Sequence, residues 1–200
     1  MKLGILAVSC VVLVAATLGT GICAETEEMV IFGFEKDLQD WQIPEWEVED
    51  TEYYAAEDIA VSGYYASEGD YSLELLVDFP GGSWKGAYVE KEMYVTDWSQ
   101  FSALKVDVYV PQTVPAGLKG RIVLTVGEQW KWTEMNRGIA LTPGEWNTIT
   151  AVVKEGSTDW KFFPDEKFRQ DIRKIGVRIE SDRKPVYKGP IYIDNVRLAK

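Results

Sequence analysis

The chain has 200 residues, a formal net charge of −11 and no histidine. The negative charge repels phosphate backbones and anionic headgroups, so it argues against nucleic-acid binding and favours a neutral partner over an anionic polysaccharide. The lack of histidine removes the usual general base and the Ser-His and Cys-His nucleophile systems. Two enzyme classes are left open, a carboxylate-pair glycosidase and a lyase that uses Tyr with Lys or Arg, but sequence spacing identifies no carboxylate pair and the sequence has no recognisable catalytic signature. We therefore predict that the protein is not an enzyme.

The first 24 residues have the layout of a secretory signal peptide. Lys2 precedes an uncharged, mostly apolar run over residues 3–18, and small residues lead to Ala24. This run is shorter than the roughly 20 residues that cross a bilayer, so we expect no transmembrane segment in the mature chain. We predict cleavage after Ala24 and a secreted or periplasmic protein. Lipid anchoring at Cys23 is disfavoured, because Ile22 is larger than the residues that usually precede a lipidated cysteine.

Both cysteines, Cys10 and Cys23, lie in this leader. Residues 25–200 therefore form no disulfide, even in an oxidising compartment. Their length suits one domain with a substantial core and is too short for two ordinary ones. The stability of this domain must come from core burial or from a bound metal.

Strand patterns recur along the domain, and turn residues separate nearly all of them. The main predicted strands cover residues 30–34, 71–79, 87–95, 104–110, 121–126, 130–135, 146–153, 172–180 and 191–198. A further strand is predicted near residues 58–61, within an otherwise irregular segment over residues 41–65. One helical turn is predicted between residues 165 and 174. Many short strands with such turns indicate an all-β, antiparallel β-sandwich, and eight main strands after residue 70 suggest a jelly roll.

Jelly-roll connectivity would sort these eight strands into two sheets. One sheet collects the strands that start at residues 71, 104, 146 and 191, and the other collects those that start at residues 87, 121, 130 and 172. The outward face of the second sheet would carry aromatic rings beside charged groups, which is typical of a binding surface. Its predicted side chains are Trp84, Tyr88, Glu90, Arg121, Val123, Thr125, Lys174, Arg178 and Glu180.

The order of short motifs along the domain gives a family resemblance. The motifs are FGFE, LQDW, SEGDYSLELLVDF, WSQFSALKVDVYVP, EWNTITAVV, IRKIGVRIE and IYIDNVRL. This order resembles the carbohydrate-binding modules of the galactose-binding-like β-jelly-roll type, from about residue 30 to residue 198. The motifs are short and are shared by families with different ligands, so the resemblance specifies the fold more strongly than the sugar.

The resemblance also implies a structural calcium ion. In such modules the ion often lies where the first strand, the loop before YSL and the last strand meet. Glu35 of FGFE and Asp194 of IYIDN match the two acidic positions, and Asp70 is a weaker third candidate. Calcium takes six to eight oxygen ligands and could join both ends of a domain without disulfides.

Aromatic side chains are the candidates for sugar contact, because the polarised C–H faces of sugars pack on electron-rich rings. We predict that Trp84 and Tyr88 contact the ligand, that Arg178 donates to hydroxyl groups and that Glu90 accepts from them. Trp160 is predicted at the rim of the surface. The tryptophans at positions 41, 98 and 146 are instead predicted to be structural.

Trp130 and Trp132 are two residues apart and point to the same side of a strand. A two-residue turn through Gly127 and Glu128 would place both rings on the outward face. A three-residue turn through Gln129 would bury them instead. The first turn would force Lys131 inward, unless the strand lies at an open edge of the sheet. The sequence leaves both orientations of the two rings open.

We therefore predict a secreted, non-catalytic module that binds a neutral polysaccharide or oligosaccharide, of the β-glucan or mannan class by family analogy. The alternative is a cell-envelope adhesive or structural protein that uses the same fold to bind a protein partner. Its aromatic face would then be a protein interface.

Overall fold

The computed structural model describes residues 27–162 and 164–200. The predicted signal peptide and its cleavage site lie outside these residues. None of the helices in the described part of the chain is long and apolar enough to cross a membrane.

Strands dominate the structure, and the two helices are single turns. The elements are β1 (Glu28–Phe32), α1 (Glu45–Glu49), β2 (Ala56–Ser62), β3 (Ser72–Phe79), β4 (Trp84–Glu92), β5 (Ala103–Tyr109), β6 (Lys119–Val126), β7 (Lys131–Glu134), β8 (Ile139–Ala140), β9 (Trp146–Val152), α2 (Glu166–Gln170), β10 (Ile172–Asp182) and β11 (Tyr187–Ala199). The predicted helical turn corresponds to α2, where the Asp165 carboxylate caps the backbone N–H of Phe168 at 2.8 Å.

The strands form two antiparallel sheets. Sheet A has the order β2-β3-β11-β5-β9, with β1 also paired to β11, and sheet B has the order β4-β10-β6-β7, with β8 beside β6. The eight strands predicted after residue 70 divide as expected, with β3, β5, β9 and β11 in sheet A and β4, β6, β7 and β10 in sheet B, and the two-residue β8 is an addition. The jelly-roll sandwich is confirmed.

The core lies between the sheets and is filled by alternate residues of each strand. Inward-facing members include Leu104, Val106 and Val108 of sheet A and Ile175, Val177 and Ile179 of sheet B, all fully buried. Each such side chain contributes about 1.5–3 kcal/mol when removed from water. Their alternation with polar residues fixes the strand register, because a one-residue slip would turn the apolar set outward.

The segment before β2 lies along the free edge of β4. Gln42 pairs with Glu90, and Tyr54 pairs with Gly86, so residues 42–54 bridge two points of this strand. The sequence predicts irregular structure here, and the structure adds α1 directly after Pro44. This segment covers an edge that would otherwise offer unpaired backbone groups. It also carries the side chain of Trp46 onto the outer face of sheet B.

Of the four tryptophans predicted to be structural or to lie at the rim, three are buried. Trp41 and Trp98 are buried as predicted. The rim position predicted for Trp160 is wrong, because its ring is buried against Phe168 and its Nε1–H donates to the carbonyl of Val152 at 2.8 Å. Trp146 is half-buried on the outer face of sheet A, beside Tyr109.

Candidate functional site

Four aromatic side chains form one cluster on the outer face of sheet B, which we call the aromatic platform: Trp46, Tyr54, Tyr88 and Trp132. The ring of Tyr88 lies over Gly176 of the neighbouring strand, since a Cβ atom built there would come within 2.2 Å of the Tyr88 ring. Trp46 stacks on Tyr88 with ring centroids 5.4 Å apart, and Trp132 tilts against it at 5.3 Å. Tyr54 meets the edge of Trp46 at 4.9 Å.

Exposure divides the platform into a support and a contact surface. Tyr88 is only 1% exposed, whereas Trp46 is 39% and Trp132 is 42% exposed. The two indoles stand edge to face, 6.2 Å apart. Offset and edge-to-face pairs of this kind are favourable beyond the area that they bury. Tyr88 therefore fixes the position of two rings that remain open to a ligand.

The loop before β7 determines that Trp132 faces outward. Val126 pairs with Lys131, and Thr125 pairs with Trp132, so the loop contains four residues. Neither of the two predicted turn lengths is correct, but a four-residue loop preserves the side selected by the two-residue turn. Lys131 is exposed at the edge strand, with its ammonium group 3.7 Å from the Phe162 ring centroid.

Trp130 and Trp84 extend the aromatic surface in opposite directions along β10. Trp130 lies in the loop, is 48% exposed and has its ring centroid 5.8 Å from the ammonium of Lys174. Trp84 is half-buried, with its ring centroid 5.6 Å from the guanidinium carbon of Arg178. Lys174 and Arg178 are four residues apart on one strand, a rise of roughly 13 Å. The surface is thus elongated, as a chain-like ligand requires.

A network of ion pairs lies beside the platform. Arg178 donates to Glu134 at 2.6 Å and to Glu180 at 2.8 Å, and Arg121 donates to Glu180 at 2.9 Å. Lys161 contacts Glu134 at 2.5 Å. Burial acts to raise the pKa of the Glu134 carboxyl, but the bond from Lys161 and the charge of Arg178 outweigh it and lower that pKa. These charges are paired with one another.

Glu90 connects the platform to a second ion pair. Its carboxylate is buried and accepts from the Lys174 ammonium at 2.7 Å and from the Tyr88 hydroxyl at 3.2 Å. Burial raises the pKa of the Tyr88 hydroxyl well above its usual value, and the adjacent Glu90 charge acts in the same direction. Glu90 therefore orients the ring that supports Trp46.

Glu47 of α1 attaches Trp46 to the sheet. Its side chain is 2% exposed, and Oε1 accepts from the backbone N–H of Tyr88 at 2.7 Å. Oε2 is buried without a hydrogen-bond partner among the described residues. Burial raises the pKa of this carboxyl to about 8. At neutral pH Glu47 is therefore mostly protonated, which reduces the cost of burying it.

The structure places all six residues predicted to bind ligand on or beside one sheet face, but Tyr88 and Glu90 are buried, so they support this surface and do not present the ligand contacts predicted for them. Trp84, Tyr88, Glu90, Arg178 and Trp132 lie on the outer face of sheet B, and Trp130 lies at its end. Sequence reasoning missed Trp46, Tyr54, Glu47 and Glu134. The first three lie in a segment without strand periodicity. Glu134 had a detectable signal, since it is two residues from Trp132 and shares its face.

The two residues predicted to hold calcium converge on one loop from opposite ends of the chain. Asp194 is fully buried and accepts from the N–H groups of Ser67 and Glu68, while Glu35 accepts from the N–H of Asp70 at 3.1 Å. Burial raises the pKa of Asp194. No group of three or more acidic side chains suited to a metal occurs within the described residues.

A buried carboxylate whose hydrogen bonds come from neutral donors fits a cation ligand, because a cation would offset the cost of desolvating it. Calcium would need loop carbonyls to complete its coordination. Glu35 and Asp194 would then be the two charged ligands, and the ion would tie the FGFE segment to the last strand.

Comparison with known proteins identifies the family. A model of the family described as carbohydrate binding module 27 matches residues 23–200. The chain belongs to this family. The module thus carries its aromatic platform on a carbohydrate-binding fold. No curated protein matches it significantly.

Solved structures agree on the fold. The module is similar to CBM27-1 of Caldicellulosiruptor saccharolyticus in complex with mannohexaose, at 20% identity over 87% of this chain and 97% of that one, with a TM-score of 0.58. It is similar to CBM28, described as specific for non-crystalline cellulose, at 12% identity over 87% and 95%, with a TM-score of 0.62. It is also similar to a family 11 module of Clostridium thermocellum in complex with a β-1,3-1,4-mixed-linked tetrasaccharide, at 16% identity over 88% and 96%, with a TM-score of 0.53.

Proposed function

We propose that the protein is a secreted, non-catalytic module that binds a neutral glycan chain on the aromatic platform. The observation that carries this proposal is the pair of exposed indoles, Trp46 and Trp132, held 6.2 Å apart over the buried ring of Tyr88. Indole faces and edges pack against the C–H faces of sugar rings, and fixed rings lose little entropy on binding. Secretion is proposed from the leader pattern over residues 1–24.

The ion-pair network supports a neutral ligand. Arg178 and Arg121 are each paired with Glu180, and Arg178 is also paired with Glu134. Such groups can hydrogen-bond to sugar hydroxyls while their charges are largely offset by one another. The net charge of −11 adds long-range repulsion against uronic acids and sulfated glycans.

Among neutral glycans we place a mannan first and a β-glucan second. The mannan preference rests on the family and on the mannohexaose bound in the related CBM27-1 structure. The β-glucan option rests on the mixed-linked tetrasaccharide bound in the family 11 module. The elongated surface between Trp130 and Trp84 suits an oligosaccharide better than a single sugar.

The test is isothermal titration of the purified protein with mannohexaose and with a mixed-linked β-glucan tetrasaccharide. Trp132→Ala and Trp46→Ala should each weaken binding about tenfold or more, since one lost ring contact is worth about 1.4 kcal/mol. Tyr94→Ala is the matched control, because Tyr94 is an exposed ring that no platform residue contacts. Binding of neither sugar by a folded protein would refute the proposal and favour a protein partner in the cell envelope.

A further inference from the structure

A second group of aromatic side chains lies on the outer face of sheet A, on the opposite side of the sandwich from the platform. We call Tyr65, Tyr109, Trp146 and Tyr192 the sheet A patch. Tyr192 pairs with Tyr109, and Tyr109 pairs with Trp146, so these three residues form one row across β11, β5 and β9. Tyr65, from the loop between β2 and β3, stacks on Tyr109 with ring centroids 4.2 Å apart and planes 22° apart.

The patch is separate from the core. The neighbours of Tyr109 along β5, Val108 and Val110, point inward and are buried. Tyr65 is 41% exposed, Tyr109 and Trp146 are half-buried, and Tyr192 is covered by Tyr65 at 5.0 Å. The arrangement repeats that of the platform, with one buried ring under exposed ones.

Two carboxylates lie beside the patch and would repel an anionic ligand. Half-buried Glu74 of β3 lies directly opposite Tyr192. Asp107 lies in the next row of the same face and accepts from Arg197 at 2.8 Å and from the Thr148 hydroxyl at 2.6 Å. Its negative charge is therefore partly offset at the site. The other polar groups beside the rings are the hydroxyls of Tyr65 and Tyr109, the Glu74 carboxylate, and the Thr148 hydroxyl, which donates to Asp107 and can still accept. This surface matches a ligand that is uncharged and rich in hydroxyl groups.

We propose that the sheet A patch is a second binding site for a neutral saccharide. Trp146 and Tyr65 supply the ring contacts, Tyr109 lies between them, and Thr148 hydrogen-bonds to sugar hydroxyls. The row spans three adjacent strands, which is about 10 Å, so the site holds a short stretch of about two sugar units or a chain end. It shares no residue with the platform, and it does not depend on the platform binding the same sugar.

The experiment follows the patch by heteronuclear NMR in a Trp46→Ala/Trp132→Ala variant of the whole protein, which removes both exposed platform indoles. The probes are mannohexaose, cellohexaose and a mixed-linked β-glucan tetrasaccharide. The expected result is a saturable shift of the Trp146 indole N–H and the Thr148 amide with at least one probe. Adding Tyr65→Ala should weaken that binding about tenfold, whereas adding Tyr94→Ala should not change it.

Three results would overturn the proposal: no patch shift with any probe, equal shifts in variants with and without Tyr65, or shifts that follow protein concentration without sugar. The last of these would indicate self-association through the patch. A second variant, Trp146→Ala, tests the other ring contact with the Thr148 amide as the probe, and Trp146→Phe replaces it if Trp146→Ala fails to fold. In the wild-type protein, the indole N–H resonances of Trp46 and Trp132 report glycan binding on the platform. Their response to sugar tests the proposed function independently of the patch.

Discussion

The ring of Tyr88 occupies the space that a side chain at Gly176 would need. Gly176 lies in the middle of β10, where glycine is unfavourable for strand stability, so its presence there needs a structural reason. That reason is the platform, because Tyr88 must cross β10 to reach Trp132.

Gly176→Ala is therefore expected to weaken glycan binding about tenfold or more and to cost about 1–3 kcal/mol of stability through overpacking. Titration calorimetry and urea unfolding measure the two effects. Gly33→Ala is the matched control, since a Cβ atom there meets only Val30 at 3.9 Å. Unchanged binding in Gly176→Ala would contradict the supporting role of Tyr88.

Glu47 is expected to make stability depend on pH. Burial raises the folded-state pKa of its carboxyl from the ordinary value of 4.5 to about 8, so the unfolded chain ionises first as the pH rises. The stability associated with the protonated carboxyl is present below pH 4.5 and is lost progressively between pH 4.5 and about 8.

Glu47→Gln, which resembles the protonated acid, should remove this loss and gain about 1–3 kcal/mol over the wild type at pH 8, with little gain at pH 4.5. Urea unfolding at several pH values measures it. Glu49→Gln, on the exposed side of α1, should leave the pH profile unchanged. The prediction would be refuted if the free energy of unfolding had the same pH dependence in the wild type and in Glu47→Gln.

Arg178 is expected to stabilise the folded protein through its ion pairs with Glu134 and Glu180. Arg178→Met would remove one of the two arginines that Glu134 and Glu180 share and leave Arg121 as the other, at a cost of about 1.5–3 kcal/mol. Thermal and chemical unfolding measure this cost. Arg137→Met, at an exposed position, is the control and should cost less than about 0.5 kcal/mol. A loss in Arg178→Met as small as in the control would show that Arg121 and Lys161 neutralise the carboxylates alone.

The proposed calcium site predicts that calcium raises the melting temperature and that a chelator lowers it, because a ligand bound only by the folded state stabilises it. Glu35→Gln should abolish most of this difference. Glu68→Gln, in the same loop, is the control, since Glu68 contacts Asp194 through its backbone N–H and not through its carboxylate. Equal melting temperatures with calcium and with chelator would remove calcium from the description of this fold.

Local pattern predicts most of the fold and only part of the site. The alternation of Val106 and Val108 with Lys105 and Asp107 has the period of a half-buried strand, and it survives in the structure because both sheets bury one face. The sorting of strands into sheets follows from connectivity. By contrast, Trp46 is placed by two bridges between residues 42–54 and β4, which are long-range pairings with no periodic signal. The outward side of Trp132 depended on a loop length that turn residues alone did not specify.

The first and last strands are neighbours, with Glu28 paired to Ala199. Both ends of the described chain therefore leave the sandwich from sheet A, and the platform occupies the outer face of sheet B. Anything joined to either end would be held behind the module, with the indoles directed toward the surrounding medium. This arrangement leaves the platform free when the module is attached to another structure, so fusion tags for the experiments above can be joined to either end of the described domain without blocking the platform.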